Sequence, residues 1–117
     1  MAQTSSTGRQ LAHNVFFALH DRSAEACQRL LAACHKYLAP HAGIVFFACG
    51  TRAAELRREV NDLDFDVGLH IVFTDQAAHD AYQDSEAHGR FIAENKANWR
   101  KVRVFDSVVT SSPATGT

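Results

Sequence analysis

The stretch DFDVGLHIVFTD, residues 64–75, alternates between apolar and mostly polar side chains. The apolar series is Phe65, Val67, Leu69, Ile71 and Phe73. Because successive side chains of a strand point to opposite faces of a sheet, a period of two indicates a strand that buries one face. The sequence therefore predicts a β-strand over residues 64–74.

Three more segments are predicted to be strands. Residues 12–20 and 43–49 are short apolar runs rich in β-branched and aromatic side chains, and residues 101–109 form a similar run near the end of the chain. Residues 50–62 are polar and charged, which predicts a long connection with a helical turn over residues 53–58.

Helices are predicted between the strands, each after a Ser or Asp that can accept a hydrogen bond from a free backbone N–H of the first turn. An apolar stripe at helical spacing occupies residues 23–38. The predicted N-caps are Ser23, Asp75 and Ser85, and the two later helices cover residues 76–82 and residues 85 to about 98. The order βαββαβ predicts an α+β, ferredoxin-like domain in which helices cross one face of a four-stranded antiparallel sheet.

The composition is that of one globular domain. The chain has 117 residues, of which 46% are hydrophobic and 21% are charged. A formal net charge of −1 gives no overall field to attract nucleic acid or anionic lipid, so neither is an expected partner. We expect one domain over residues 12–109, between disordered tails rich in small polar residues at 1–11 and 110–117.

The cysteines and the terminus bear on location. The chain has three cysteines, Cys27, Cys34 and Cys49, and their spacing is not that of a metal-binding motif. An odd number of cysteines is typical of reduced thiols, which predicts a cytoplasmic protein. The N-terminal residues lack the apolar core of a signal peptide, and no apolar run has the length of a membrane span. No membrane association is expected.

The first two strands carry large apolar side chains on both faces, with Phe16 beside Phe17 and Phe46 beside Phe47. Helices cover only one face of a ferredoxin-like sheet. At about 25 cal/mol per Å2, leaving the other face in water forfeits several kcal/mol of the roughly 5–15 kcal/mol that stabilises a domain. The pattern predicts a homodimer that packs its open sheet faces together.

Several short motifs occur in a defined order. They are H-x-V-F-F-x-L at residues 13–19, L-H-I-V-F-T-D at 69–75, D-A-Y at 80–82, A-H at 87–88 and V-F-D at 104–106. Together they resemble the stress-responsive dimeric α/β-barrel (Dabb) domain over residues 12–109. The resemblance implies a homodimer with a cleft in each protomer between the sheet and the helices.

The resembled family includes stress-induced proteins without assigned catalysis and a plant polyketide cyclase that needs no cofactor. The resemblance places Tyr82 and His88 at the positions of the cyclase's tyrosine and histidine, and His13 at that of a first-strand histidine in its cleft. The chain departs from the cyclase at Ser85-Glu86, where the cyclase has histidine followed by proline, and at Val67, where it has another histidine. A different substrate is therefore expected.

The predicted catalytic pair is Tyr82 and His88, because a histidine of near-neutral pKa can take a proton from carbon while a phenol holds the developing oxyanion. The residues predicted to line the cleft and bind a ligand are His13, Val15, Phe17, Leu69, Phe91 and Trp99. The alternative is that the histidines and the tyrosine are hydrogen-bonded structural groups. Asp106 is expected to serve as a structural tie, because an unpaired buried carboxylate is costly.

The histidines show no metal-ligand spacing on one element, so neither a metal nor another cofactor is predicted. Three functions stay open. The first is a dimer that binds a small apolar molecule without catalysis, and the second is a cofactor-independent cyclase or lyase that acts on a small carbonyl compound. The third is a haem-handling or oxygenase activity similar to that of dimeric barrels of the antibiotic-biosynthesis monooxygenase type. This activity depends on particular placements of Asn, Trp and His, and it is disfavoured because Asn14 alternates away from the face of His13.

The size of the cleft separates these functions. A cleft of about 300 Å3 or more, reached by both His13 and His88, would favour ligand binding or catalysis. Filling of the cleft by side chains would favour a structural role for these residues.

Overall fold

A computed structural model describes residues 9–113, so the tails predicted at 1–11 and 110–117 lie largely outside the described part of the chain. The elements in chain order are β1 (Gln10–Leu19), α1 (Ala24–Ala33), β2 (Ile44–Thr51), β3 (Val67–Phe73), α2 (Gln76–Gln83), α3 (Glu86–Asn95) and β4 (Trp99–Val109). A π-helical turn, Cys34–Leu38, extends α1, and a 3-10 turn, Lys96–Asn98, connects α3 to β4. None of the helices in the described residues is long and apolar enough to cross a lipid bilayer.

The four strands form one antiparallel sheet in the order β2-β3-β1-β4. Strand β1 lies between β3 and β4, and His13 is paired with Ile71 on one side and with Asp106 on the other. This strand order is the ferredoxin-like arrangement, and the predicted α+β fold is confirmed.

The helices begin where the sequence predicts. Ser23, Asp75 and Ser85 have extended backbones, and the side chain of each accepts a hydrogen bond from the backbone N–H three residues later. Each cap satisfies one N–H that has no partner inside its helix, which is worth about 1 kcal/mol. The cap at Ser85 also fixes the backbone of His88, whose N–H is the donor.

The core lies between the helices and one face of the sheet, here called the helix-side face. Alternate residues of β1 and β3 point to this face, in agreement with the period of two, and the apolar stripe of α1 packs on them. The buried core comprises Leu11, Val15, Phe17, Leu19, Cys27, Leu30, Cys34, Tyr37, Leu38, Val67, Leu69, Ile71, Phe73, Tyr82 and Phe91.

One predicted boundary and one predicted helical turn differ from the structure. Strand β3 begins at Val67 rather than residue 64, because the Asp66 carboxylate accepts the backbone N–H of Leu19 at 2.8 Å and pairs with Arg22 at 2.9 Å, which anchors the preceding loop to the end of β1. No helix forms over residues 53–58, where an isolated turn joins the Leu56 N–H to the Ala53 carbonyl. A helix this short without an apolar face to bury is marginal in water.

The opposite face of the sheet, here called the open face, carries no helix in the described part of the chain. Its side chains include Phe16, Phe46 and Phe105, and the last two are 55% and 53% exposed. Asn14 also lies on this face, where its side-chain oxygen is 2.8 Å from Nδ1 of His70. Both faces of the sheet are therefore apolar, as predicted, and Asn14 does point away from His13.

Candidate functional site

A cavity of about 170 Å3 lies between the helix-side face of the sheet and the helices, and we call it the cleft. Val102 and Val104 of β4 line it while remaining 38% and 49% exposed, so the cleft opens to solvent over β4. Its lining includes all eight residues selected from the sequence, namely His13, Val15, Phe17, Leu69, Tyr82, His88, Phe91 and Trp99. The structure therefore brings these residues together, and their roles stay predictions.

The cleft is small. It lies below the roughly 300 to 1,000 Å3 of pockets for drug-sized ligands, but an apolar cavity of about 150 Å3 suffices for benzene. Aromatic packing occupies the remaining space, since the ring centre of Trp99 is 5.0 Å from that of Phe17 and 5.7 Å from that of Phe91. Both histidines reach the cleft, but its volume does not meet the 300 Å3 criterion.

Sequence reasoning missed part of the lining. Val102 and Val104 were detectable, because they alternate with the outward residues of the predicted last strand. In the sheet they pair with Phe17 and Val15 of β1. Gln83 carried no such signal, since a glutamine at the end of a helix is ordinarily a solvent-exposed residue. The further lining residues are Leu38, Gln83, Ile92, Val102 and Val104.

His13 and Asp106 form a close pair across β1 and β4. His13 is 4% exposed, and its Nδ1 is 2.6 Å from Oδ1 of Asp106. Burial lowers the pKa of His13, while the hydrogen bond and charge of Asp106 partly oppose this shift. In the neutral imidazole, Nδ1–H donates to the carboxylate and Nε2 remains an acceptor, 3.5 Å from the side-chain nitrogen of Gln83. Asp106 thus has the partner that the sequence led us to expect.

Tyr82 lies at the centre of an aromatic cluster. Its ring centre is 5.0 Å from that of His88, 5.1 Å from that of His41 and 5.9 Å from that of His13. Burial raises the pKa of Tyr82, which keeps the phenol protonated and able to donate. Tyr82 lines the cleft, so its phenol can donate a hydrogen bond to a ligand there.

His88 is held at the first turn of α3 and faces the cleft. Burial lowers its pKa, and the charges that His13, His41 and His79 carry when protonated lower it further. Its imidazole is therefore neutral at neutral pH and can accept a proton. His88 and Tyr82 together place a base and a phenol donor side by side.

Two histidines near the cleft were not selected from the sequence. His41 lies in the loop after the first helix, where Nε2 is 3.0 Å from the Ser85 hydroxyl. His79 lies on α2, and its ring centre is 5.0 Å from that of His13. No local pattern in the sequence connects His41 with Tyr82 or His79 with His13, so only the folded chain reveals these contacts.

Solved structures share this fold. A Dabb family protein with a ferredoxin-like fold from Mesorhizobium loti is 26% identical, with a TM-score of 0.69 over 88% of this chain and 99% of that one. A dimeric ferredoxin-like protein of unknown function from Thermobifida fusca is 16% identical, with a TM-score of 0.71 over 87% of this chain and 92% of that one. A hydroxynitrile lyase from Passiflora edulis is 18% identical, with a TM-score of 0.68 over 92% of this chain and 99% of that one.

The last two likenesses, at such low identity, concern the fold alone. No curated protein matches the sequence. The family model of the stress-responsive A/B barrel domain matches residues 11–109, which is nearly the whole described part of the chain. The chain therefore belongs to the stress-responsive α/β-barrel (Dabb) family.

Proposed function

We propose that the protein binds a small, largely apolar molecule, about the size of one aromatic ring, in the cleft. The observation that carries the proposal is the lining of the cavity, in which apolar walls surround the polar groups of His13, Tyr82 and His88. Apolar walls supply affinity and a few fixed polar groups supply orientation. A carbonyl or hydroxyl on the ring would suit the phenol of Tyr82 and the neutral imidazoles.

The entrance over β4 supplies a test. Val104 lines the cleft, whereas Val108 lies on the same strand and the same face but outside the cleft. Val104→Phe should narrow the cleft and weaken binding of benzaldehyde about tenfold or more, because the phenyl group competes for the ligand's space. Binding can be followed through the fluorescence of Trp99, which lines the cleft and is the single tryptophan of the chain.

Val108→Phe is the matched control and should leave the affinity within about twofold of wild type. A series of benzene derivatives with aldehyde, ketone and hydroxyl groups extends the test to other probes. If none of them changes the Trp99 signal, or if both variants bind them like wild type, the cleft is not the ligand site.

We propose proton-transfer catalysis in the same cleft as the second candidate function. It is favoured by the neutral imidazole of His88 beside the protonated phenol of Tyr82, with ring centres 5.0 Å apart. The imidazole would take a proton from the carbon next to a carbonyl. The electron pair of the broken C–H bond would form a double bond to the carbonyl carbon, and the electron pair of the carbonyl π bond would move to the oxygen, where the Tyr82 hydroxyl donates a hydrogen bond. The hydroxynitrile lyase of Passiflora edulis is an enzyme with this fold, which is in keeping with catalysis in the cleft.

This second function predicts exchange of carbon-bound protons. In D2O, wild-type protein should accelerate the exchange of the methyl protons of acetophenone, measured by NMR. His88→Gln should lower the rate by about 100-fold or more, because the base is lost, and Tyr82→Phe should lower it by about tenfold or more. His70→Gln on the open face is the control and should retain the wild-type rate. Equal rates in wild type and His88→Gln would rule out His88 as the base.

We further propose that two copies pair through their open faces. Phe46 and Phe105, on the two edge strands, leave about half of their surfaces in water within one chain, so the open face exposes large aromatic side chains at both edges. The dimeric ferredoxin-like protein of Thermobifida fusca supports this assembly. The pairing would bury both aromatic side chains of each copy.

We also infer a reducing, cytoplasmic location from the free thiols. Cys27, Cys34 and Cys49 are all free, and Cys34 and Cys27 are buried in the core. Burial raises the pKa of the Cys34 thiol, which keeps it protonated and unreactive. This state suits a compartment that keeps thiols reduced.

A further inference from the structure

Three groups that commonly bind metal ions meet beside the cleft, although they are far apart in the sequence. His13 lies on β1, His79 on α2 and Asp106 on β4. One ligand atom from each of the three side chains lies within 4.8 Å of the other two. Two imidazoles and one carboxylate form a nitrogen and oxygen donor set that suits Zn2+ and other divalent first-row transition ions.

His79 carries the strongest sign of an unmet partner. Its Nε2 is buried and has no hydrogen-bond partner among residues 9–113. Its Nδ1 lies 3.0 Å from Oδ1 of Asp80. A proton on Nδ1 donates to that carboxylate, which leaves the lone pair on the buried Nε2. Metal-binding histidines are characteristically oriented in this way by a carboxylate on the other ring nitrogen.

Asp106 supplies negative charge at the same place. Its side chain is 43% exposed, so solvent and ions can reach the carboxylate from the side of β4. The buried His13 is held against it at 2.6 Å, and this imidazole also lines the cleft. The cluster therefore connects the solvent-exposed edge of the sheet with the interior of the cleft.

We propose that His13, His79 and Asp106 form a binding site for one divalent transition-metal ion. With bonds of about 2.0–2.2 Å around a tetrahedral ion, ligand atoms lie about 3.4 Å apart. The ligand atoms that are farthest apart in the cluster must therefore approach each other by about 1 Å or more, and His13 and Asp106 must move slightly apart. Rotation of the side chains can supply both changes. Three protein ligands leave a fourth position for water or a small ligand. The site goes beyond the proposed ligand binding and does not depend on it.

The metal alone tests the proposal. Full-length protein is treated with a chelator, desalted and titrated with ZnCl2 by calorimetry and with CoCl2 by visible absorption. Wild type should bind one equivalent and give the absorption bands of cobalt held by protein ligands. His79→Gln and Asp106→Asn should each weaken binding by about 100-fold or more, since the loss of a direct ligand costs at least as much as the loss of a supporting group.

Two control variants exclude other sites. His70→Gln lies on the open face and should bind like wild type. Cys49→Ser removes another pair of groups that could bind a metal ion, since Cys49 Sγ is 3.5 Å from His35 Nε2. This variant should also bind the ion like wild type. Circular dichroism checks that each variant folds. If His79→Gln does not fold, the metal affinity of Asp106→Asn tests the site, because Asp106 lies at an exposed strand position.

Several outcomes would overturn the proposal. One is a wild-type protein that binds neither ion with a dissociation constant below about 1 mM. Another is unchanged affinity in Asp106→Asn. Loss of the ion in Cys49→Ser alone would place it at the His35–Cys49 pair instead.

Discussion

Replacing Phe73 by alanine is expected to lower the free energy of unfolding by about 3–5 kcal/mol. Phe73 is 0% exposed and stands at the end of β3, where its ring centre is 5.0 Å from that of Tyr82 and 5.5 Å from that of His79. Alanine would remove the buried ring and leave a cavity that the surrounding strands cannot close. Such a loss is a large part of the roughly 5–15 kcal/mol that stabilises a domain.

Urea unfolding followed by circular dichroism measures this effect, at one protein concentration for all variants because the proposed dimerisation would contribute to stability. Val108→Ala is the control, since Val108 is 65% exposed and its truncation should change the free energy by less than about 0.5 kcal/mol. A loss below about 1 kcal/mol for Phe73→Ala would contradict the packing described for the core.

Introducing a charge on the open face is expected to separate the proposed dimer. Phe105 packs against Phe16 with ring centres 5.9 Å apart, and it is 53% exposed in a single chain. Phe105→Glu would bury a carboxylate without a partner between two apolar sheets, which costs several kcal/mol. The dimer should weaken by about 100-fold or more, because every 1.4 kcal/mol is a factor of ten.

Light scattering coupled to size-exclusion chromatography, at micromolar concentration, measures the assembly. The wild type should have twice the mass of one chain, and Phe105→Glu should have the mass of one. Val108→Glu is the matched control, because Val108 lies on the same strand with its side chain on the helix-side face, and it should stay dimeric. A folded wild-type monomer, or a dimeric Phe105→Glu protein, contradicts pairing through the open face.

The faces of a strand were predicted correctly where burial of one face alone caused the alternation of apolar and polar residues. Alternation in β3 placed Val67, Leu69, Ile71 and Phe73 on the buried face, because a strand has only two sides. The start of β3 was mispredicted because Asp66 continues the alternation while its carboxylate is used to anchor Leu19 and Arg22. Local pattern carries no information about such a distant partner.

The cleft residues were predictable because they share one face of a strand or a helix, and because the family resemblance pointed to the same positions. His13, Val15 and Phe17 share one face of β1, and His88 and Phe91 lie on one side of α3. The small volume of the cleft was not predictable, because it depends on how three large rings pack against one another across separate elements. Packing of this kind is a property of the whole core.

The sequence by itself determined the α+β class, the strand faces, the helix N-caps and the presence of apolar side chains on both sides of the sheet. These properties follow from residues that are neighbours along the chain, where the periods of strands and helices operate. Only the tertiary structure decided that Asp106 meets His13, that His79 lies beside both, and that the cleft has room for about one ring. Antiparallel pairing and helix crossover bring together residues that no local period connects.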